Sequence, residues 1–439
     1  MSESFSTATI DELATQLREP SWLTELRRRA LARHGALPWP HPSDDIWRRT
    51  DIGLLDPVRG GFTPAQPILL ESLRLGDSQF AKLIQPLGDE QLLVRANGSW
   101  LSPTHPQGVV VEDLTHAAQG PHAEPIRHLL EADGFTEAEQ KLTSLNAAFH
   151  HDDVVIRVPA NYAAAQPIRL VHLLSVSAKQ ALFPMTILTV GAGSSVTLID
   201  EYVSVEAKAA EPHLVNGRIE IVLEPDAHLH YVRLQRWGPT AREFLLQRAT
   251  LARGATLTLA NLNLGARVSK AHLATRLIGE HASSRIYGFV FGTNRQHVDQ
   301  HTLQDHQAPH TTSDLHFKAA LQDESRMIYT GLIRIAKTAQ QTQAYQANHN
   351  LLLSTKAQAE TIPMLEILAD DVQCKHGASI GPIDEEQAFY LMSRGIPRDA
   401  AERLIVMGFV EPIIQQVPFE PLQQRLRDEI EGGLHQGAA

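Results

Sequence analysis

A cysteine and a histidine two residues apart, within Asp371-Val372-Gln373-Cys374-Lys375-His376-Gly377-Ala378, are the side chains of this 439-residue chain best suited to metal or sulfur chemistry. In an extended strand alternate residues share a face, so Cys374 and His376 would present a thiolate and an imidazole to one point. Both are good ligands for a transition metal. The spacing also fits a buried free cysteine beside an exposed histidine, because an unpaired cysteine packs readily as a small apolar residue. Cys374 is the only cysteine in the sequence. Iron-sulfur clusters and structural zinc sites generally take four ligands, mostly thiolates, so a thiolate-rich site that used Cys374 would have to be shared with a partner chain.

Other chemistry-bearing patterns are weaker. Gly377-Ala378-Ser379-Ile380-Gly381 has the G-x-S-x-G spacing of a nucleophile elbow, which needs a strand entering the serine and a helix leaving it at once. Here Pro382 follows, helix begins only near Asp384, and the one downstream histidine is His435. Gly191-Ala192-Gly193 starts like a dinucleotide fingerprint, but Val196 replaces the third glycine and the run is better read as a turn. No G-x-x-x-x-G-K-[ST] occurs, so the chain has no recognisable P-loop. Histidines gather at His297, His301, His306, His310 and His316, interleaved with Asp299, Asp305 and Asp314. They are candidates for a metal site on a stacked fold, but their spacings fit no single helical or strand repeat, and a solvated or coil-capping role fits better.

These residues sit in a chain of ordinary soluble composition, with 43% hydrophobic and 20% charged residues. A formal charge of -11 leaves no footprint for nucleic acid. No apolar run approaches the length of a membrane span, and the first residues, with Glu3, Asp11 and Glu12, lack the pattern of a signal peptide. A lone cysteine points to the reducing cytoplasm.

The N-terminal part reads as helical. Thr9-Ile10-Asp11-Glu12 has capping-box spacing, a second helix starts at Ser21 with Gly35 as its C-cap, and Arg27 to Arg29 form a solvated face. Asn97-Gly98 predicts a hairpin, and helices are expected near Ile126 to Ala132 and Glu137 to Phe149. From about Val154 the texture changes to short alternating strands. Small residues at Ser194, Ala227, Ala255, Ala282 and Ser313, spaced by 33, 28, 27 and 31, precede apolar alternation that places Val196, Leu229 and Leu257 inward. That interval suggests the stacked coils of a β-solenoid, with an antiparallel sandwich as the alternative. The last sixty residues return to helix, capped at Asp384, ended at Gly395 and restarted at Pro397 and Pro421. The expected division is a mainly helical part over 1–150, a β core over 151–378 and a helical part over 379–439. Because coils contact mainly their neighbours, removing the residues after Ile383 should leave the β body folded.

Several passages in order resemble the SufB/SufD family of iron-sulfur cluster assembly proteins. They are Tyr329-Thr330-Gly331-Leu332-Ile333, Ala339-Gln340-Gln341-Thr342-Gln343-Ala344-Tyr345-Gln346, Asn350-Leu351-Leu352-Leu353-Ser354 and Pro363-Met364-Leu365-Glu366-Ile367. The run Asp370 to Ala378 is similar to the SufD form of the signature, and Phe389-Tyr390-Leu391-Met392-Ser393-Arg394-Gly395-Ile396 resembles the helix that follows. Weaker likeness lies at Trp47-Arg48-Arg49-Thr50 and Leu145-Asn146-Ala147. The resemblance implies a mainly β protein, a right-handed parallel β-helix flanked by N-terminal and C-terminal α-helical domains. It implies a non-enzymatic scaffold that pairs with a SufB-like subunit through the β-helix, binds a SufC-like ABC ATPase, and pairs with itself when alone. Cys374 and His376 would then stand at the subunit interface, holding a transient iron-sulfur cluster or iron shared with the partner. Phe389, Tyr390, Leu391, Arg394 and Phe409 would contact the ATPase. The alternative function is a stand-alone β-helical metalloenzyme built on the cluster from His297 to His316.

Overall fold

The computed structural model describes residues 4–65, 84–101, 106–132, 136–176, 179–206 and 212–436. From Pro184 onward successive strands alternate between two sheets, and each strand pairs in parallel with the strand two places along the chain. Such pairing makes a solenoid, because the chain returns to each sheet once per coil. The first sheet runs through Val110–Glu112, Asp152–Val158, Pro184–Val190, His213–Leu223, Ala241–Leu251, Val268–Leu277, His297–His306, Arg326–Ile335 and Gln358–Ile367. The second runs through Ser99–Trp100, Gln91–Ala96, Ile168–Val176, Ser195–Glu206, His228–Arg236, Thr256–Asn263, Ser283–Gly292, Thr312–Leu321, Thr342–Leu352 and Val372–Pro382. The sheets therefore extend beyond the 151–378 interval on both sides.

Parallel pairing excludes the antiparallel sandwich. Val196, Leu229 and Leu257 stand in one in-register column and are buried in the main apolar cluster between the sheets, as the alternation predicts. Ser194, Ala227, Ala255 and Ala282 also align, but the next rung in their column is Thr311. Ser313 stacks on Ser284 instead. A slip of two residues preserves the face of every side chain, so alternation alone could not detect the error.

The N-terminal helices lie against the outer face of the first sheet. Helix Glu137–Phe149 is anchored by Asn146, whose Nδ2 donates to the carbonyls of Asn216 (2.7 Å) and Pro184 (3.2 Å). Asn97 and Gly98, at φ 43° and 86°, turn the expected hairpin between Gln91–Ala96 and Ser99–Trp100. Three local expectations need correction. The first helix, Thr7–Leu17, is capped by Ser6, whose Oγ accepts from the Thr9 amide (3.3 Å), so the Thr9 capping box lies inside it. The second, Ser21–Ala36, runs past Gly35 and ends in extended backbone that needs no glycine. Arg27 is not solvated: it is fully buried, paired with Glu19 and donating to the Ala148 carbonyl.

The early coils enclose a charged histidine. His172 Nε2 is 3.0 Å from Asp200 Oδ1, Nδ1 is 3.6 Å from Asp152 Oδ2, and the ring stacks on Tyr202 at 4.6 Å. Burial opposes its charge, but Asp200 and Asp152 outweigh that cost and push its pKa up to about 9. A histidine raised in the folded state stabilises fully below its unfolded pKa of about 6.5, and that contribution is lost as pH rises through 9. We expect stability to fall by about 3 kcal/mol across this window, with a much shallower slope in His172→Gln. Thermal melts from pH 6 to 10 check it, and parallel curves for the two proteins would refute it.

The C-terminal helices Arg398–Ile414 and Glu420–Gln436 fold back along the outer face of the second sheet. Val406, Val410, Ile413, Leu422, Leu426 and Ile430 bury against Val232, Leu234, Leu262, Phe289 and Phe291. Arg425 and Arg236 add ion pairs to Glu201, and Arg236 also pairs with Glu429. Removing everything after Ile383 would strip this second core from the sheet, so the β body is not independent of these helices as the repeat argument suggested. The Asp384 N-cap, the Gly395 stop (φ 85°) and Pro397 preceding Arg398–Ile414 match expectation, while the last helix begins one residue before Pro421.

Candidate functional site

Both sheets end, at the same end of the solenoid, on a strand paired along one edge. Gln358–Ile367 pairs with Arg326–Ile335, and Val372–Pro382 pairs with Thr342–Leu352. The C-terminal helices lie on the side of the stack and leave this end uncapped. Cys374 and His376 are on the terminal strand of the second sheet. Cys374 continues the column Val196, Leu229, Leu257, Ser284, Ser313, Ala344, and His376 continues Leu198, Tyr231, Leu259, Ile286, Leu315, Gln346. Both therefore belong to the face that lines the interior lower in the stack, brought to the mouth of the lumen where no further coil covers it.

Their surroundings differ. Cys374 is half-buried beside Ile333, Ile335, Ala339, Ala344 and Ala369, and burial pushes its thiol pKa up. Burial therefore favours the protonated thiol, and a metal that takes the thiolate must displace that proton. His376 is exposed. One rung below it the buried Gln346 donates through Nε2 to the Gly331 carbonyl (3.0 Å), while its Oε1 has no partner. Thr361 Oγ1, on the terminal strand of the first sheet, is also buried without a partner.

The rim is apolar. Leu365, Ile367, Leu368 and Ile380 are 38%, 40%, 60% and 43% exposed. Long unpaired edge strands with apolar side chains are templates for pairing with another chain. The sequence reading missed this rim, although Pro363, on the strand Gln358–Ile367, is a signal that could have found it, since proline is confined to edge positions in sheets.

The remaining candidates are scattered. His297 and His301 share the outer face of the first sheet with Asp299, beneath Trp47 and Thr50. There Lys270 Nζ donates to Asp299 Oδ2 (2.6 Å) and the Ile46 carbonyl (2.7 Å), and Thr50 Oγ1 donates to Asp299 Oδ2 (2.5 Å). Burial pushes His297 down to about 4 and His301 to about 3, so both are neutral parts of a packed network. His306 bonds Thr311 and Ser313 between the sheets, His310 stacks on His281 at a turn, and His316 pairs with Asp314 on the second sheet. Among the described residues no group of three or more histidine, cysteine or acidic side chains could hold a metal ion. Ser379 lies within a strand rather than at an elbow, and Gly191 to Gly193 form a coil turn.

On the short helix Glu385–Ser393, Phe389 and Tyr390 are 71% and 57% exposed, and Leu391 is half-buried. Arg394 lies over the Tyr390 ring at 5.3 Å. Phe409 belongs elsewhere: it packs on the second sheet, and Lys318 donates to its carbonyl (2.7 Å).

Residues 173–409 match the family model described as "SUF system FeS cluster assembly, SufBD core domain". An iron-sulfur cluster assembly SufBD family protein of Synechocystis sp. is 28% identical over 93% of this chain and 90% of its own length. Similar family proteins of Staphylococcus epidermidis and Staphylococcus aureus are each 24% identical, over 97% of this chain and 93% of their own length.

Proposed function

We propose, from the premise that this chain belongs to the SufBD family of iron-sulfur cluster assembly proteins, that it is the SufD-like scaffold subunit of a SufBCD-type complex rather than an enzyme. The observation that carries this reading is the open solenoid end, where two terminal strands, each paired along one edge only, present Cys374 and His376 beside an apolar rim. A SufB-like solenoid of the same shape would continue both sheets strand for strand and cover the rim. The isolated chain would use the same edge to pair with itself.

One thiol and one imidazole are too few to hold a cluster. In this reading the partner supplies further thiolates, and the nascent cluster is cargo held at the seam between subunits. The partner's approach also removes water from Cys374 and His376, which strengthens metal binding by both. The absence of a P-loop leaves ATP hydrolysis to a SufC-like ABC ATPase, and the patch of Phe389, Tyr390, Leu391 and Arg394 suits its docking. Phe409, packed on the second sheet, lies outside that patch. The compartment that keeps a lone thiol reduced is the cytoplasm. Among the described residues no helix is long and apolar enough to cross a membrane.

Because the C-terminal helices carry part of the core, point substitution tests the docking patch better than truncation. Phe389→Ala with Tyr390→Ala should lower capture of the ATPase about a hundredfold while leaving the thermal melt unchanged. Anaerobic reconstitution tests the whole reading: iron and visible absorbance should accumulate on the assembled complex and not on this chain alone. Equal cluster yield on the isolated chain would sink it.

A further inference from the structure

The corners that carry the chain from the second sheet to the first bring cations together. Arg267, Arg295, Arg326 and Lys356 stand at this corner on four successive coils, so neighbouring rungs are about 4.8 Å apart. They line a groove of about 1070 Å3, with Arg267, Arg295 and Lys356 in its wall, that merges with a second of about 490 Å3 where Arg326 joins. On a chain of net charge -11 this is a local reversal of sign.

The protein's own acids only partly neutralise it. Glu324 lies between Arg295 Nε (3.5 Å) and Lys356 Nζ (3.2 Å). Asp323 accepts from the Asn294 amide (2.6 Å). Arg326 is paired with Glu360, but its Nε is buried without a partner. The Arg267 side chain has no hydrogen-bond or ion-pair partner among the described residues. Burial, and to a lesser extent the neighbouring Arg295, push the Arg267 guanidinium down from its ordinary value. The groove's other end is apolar, at Trp237, Pro239 and Leu264.

We propose that this corner groove is a binding site for a small organic anion carrying a diphosphate, with the phosphates on Arg267, Arg295 and Lys356 and the organic group toward Leu264 and Pro239. Guanidinium forks bind phosphate oxygens in pairs, and three cations lining one groove, with Arg267 and Arg295 on neighbouring coils, match the several charged oxygens of a diphosphate better than a single carboxylate. The site is independent of the lumen mouth and does not rest on its assigned role.

The test is calorimetric titration of the full chain with inorganic pyrophosphate and, separately, with ADP, at fixed ionic strength without divalent cations. Saturable binding of both is expected, tighter for ADP. Arg267→Gln with Arg295→Gln removes two screened contacts and should weaken pyrophosphate about tenfold. Glu324→Gln releases two cations from an internal competitor and should strengthen binding. These side chains lie at the surface, so all variants should give wild-type circular dichroism. Pyrophosphate that fails to saturate, an unchanged affinity in the arginine variant, weaker binding in Glu324→Gln, or preference for a glutamate peptide of equal charge would each overturn the proposal.

Discussion

Leu368→Lys combined with Ile380→Lys should weaken pairing with a second solenoid about a thousandfold while leaving the chain folded. Both side chains are largely in solvent, at 60% and 43% exposed, so the isolated chain loses little by the change. In the pair they would be buried, where each apolar side chain contributes about 2 kcal/mol. Replacing two of them removes about 4 kcal/mol before counting the cost of enclosing unpaired ammonium groups. Edge lysines are also a device by which natural sheets refuse further strands. Analytical ultracentrifugation of the isolated chain and co-purification with the proposed SufB-like subunit both read the effect. Unchanged association in the doubly substituted chain would place the interface elsewhere and remove the shared-site argument for Cys374.

That rim shows where sequence reasoning stops. Alternation reported which residues face inward, because a buried face is apolar whatever the coil number, and Val196, Leu229 and Leu257 follow from that alone. It could not report which coil is last. Leu365 and Ile367 are as apolar as residues of the buried face, and they are surface because their strand is the last in its sheet. Arg27 failed for the converse reason: its charge reads as solvent-facing, whereas Glu19, eight residues earlier, partners it inside the core. The histidine run from His297 to His316 looked like one site because it is contiguous in sequence. On a solenoid, however, consecutive residues alternate faces and consecutive strands belong to different sheets, so the run is dispersed over both sheets and the turn between them. Cys374 and His376 were legible because their relation is the shortest that a strand permits.

The largest functional effect is expected at that pair. His376→Ala should still assemble with the proposed SufB-like and SufC-like partners but yield about tenfold less cluster or worse, since loss even of a group that only orients a ligand weakens metal binding by that much. The side chain is exposed and makes no packing contribution that alanine would forfeit, so stability and assembly should hold. Cys374→Ala should be impaired less. Its thiol starts protonated in an apolar pocket with Ile333 and Ile335, so part of its binding energy is spent releasing that proton, and the partner has thiolates of its own in this reading. Cys374→Ser separates ligation from packing: it keeps the shape but offers a poor ligand for iron, and should behave like alanine in yield. Iron content and visible absorbance of complexes isolated under anaerobic conditions measure the outcome. Wild-type yield from a stably assembled His376→Ala complex would take the imidazole out of the mechanism and leave the terminal strand as a docking edge alone.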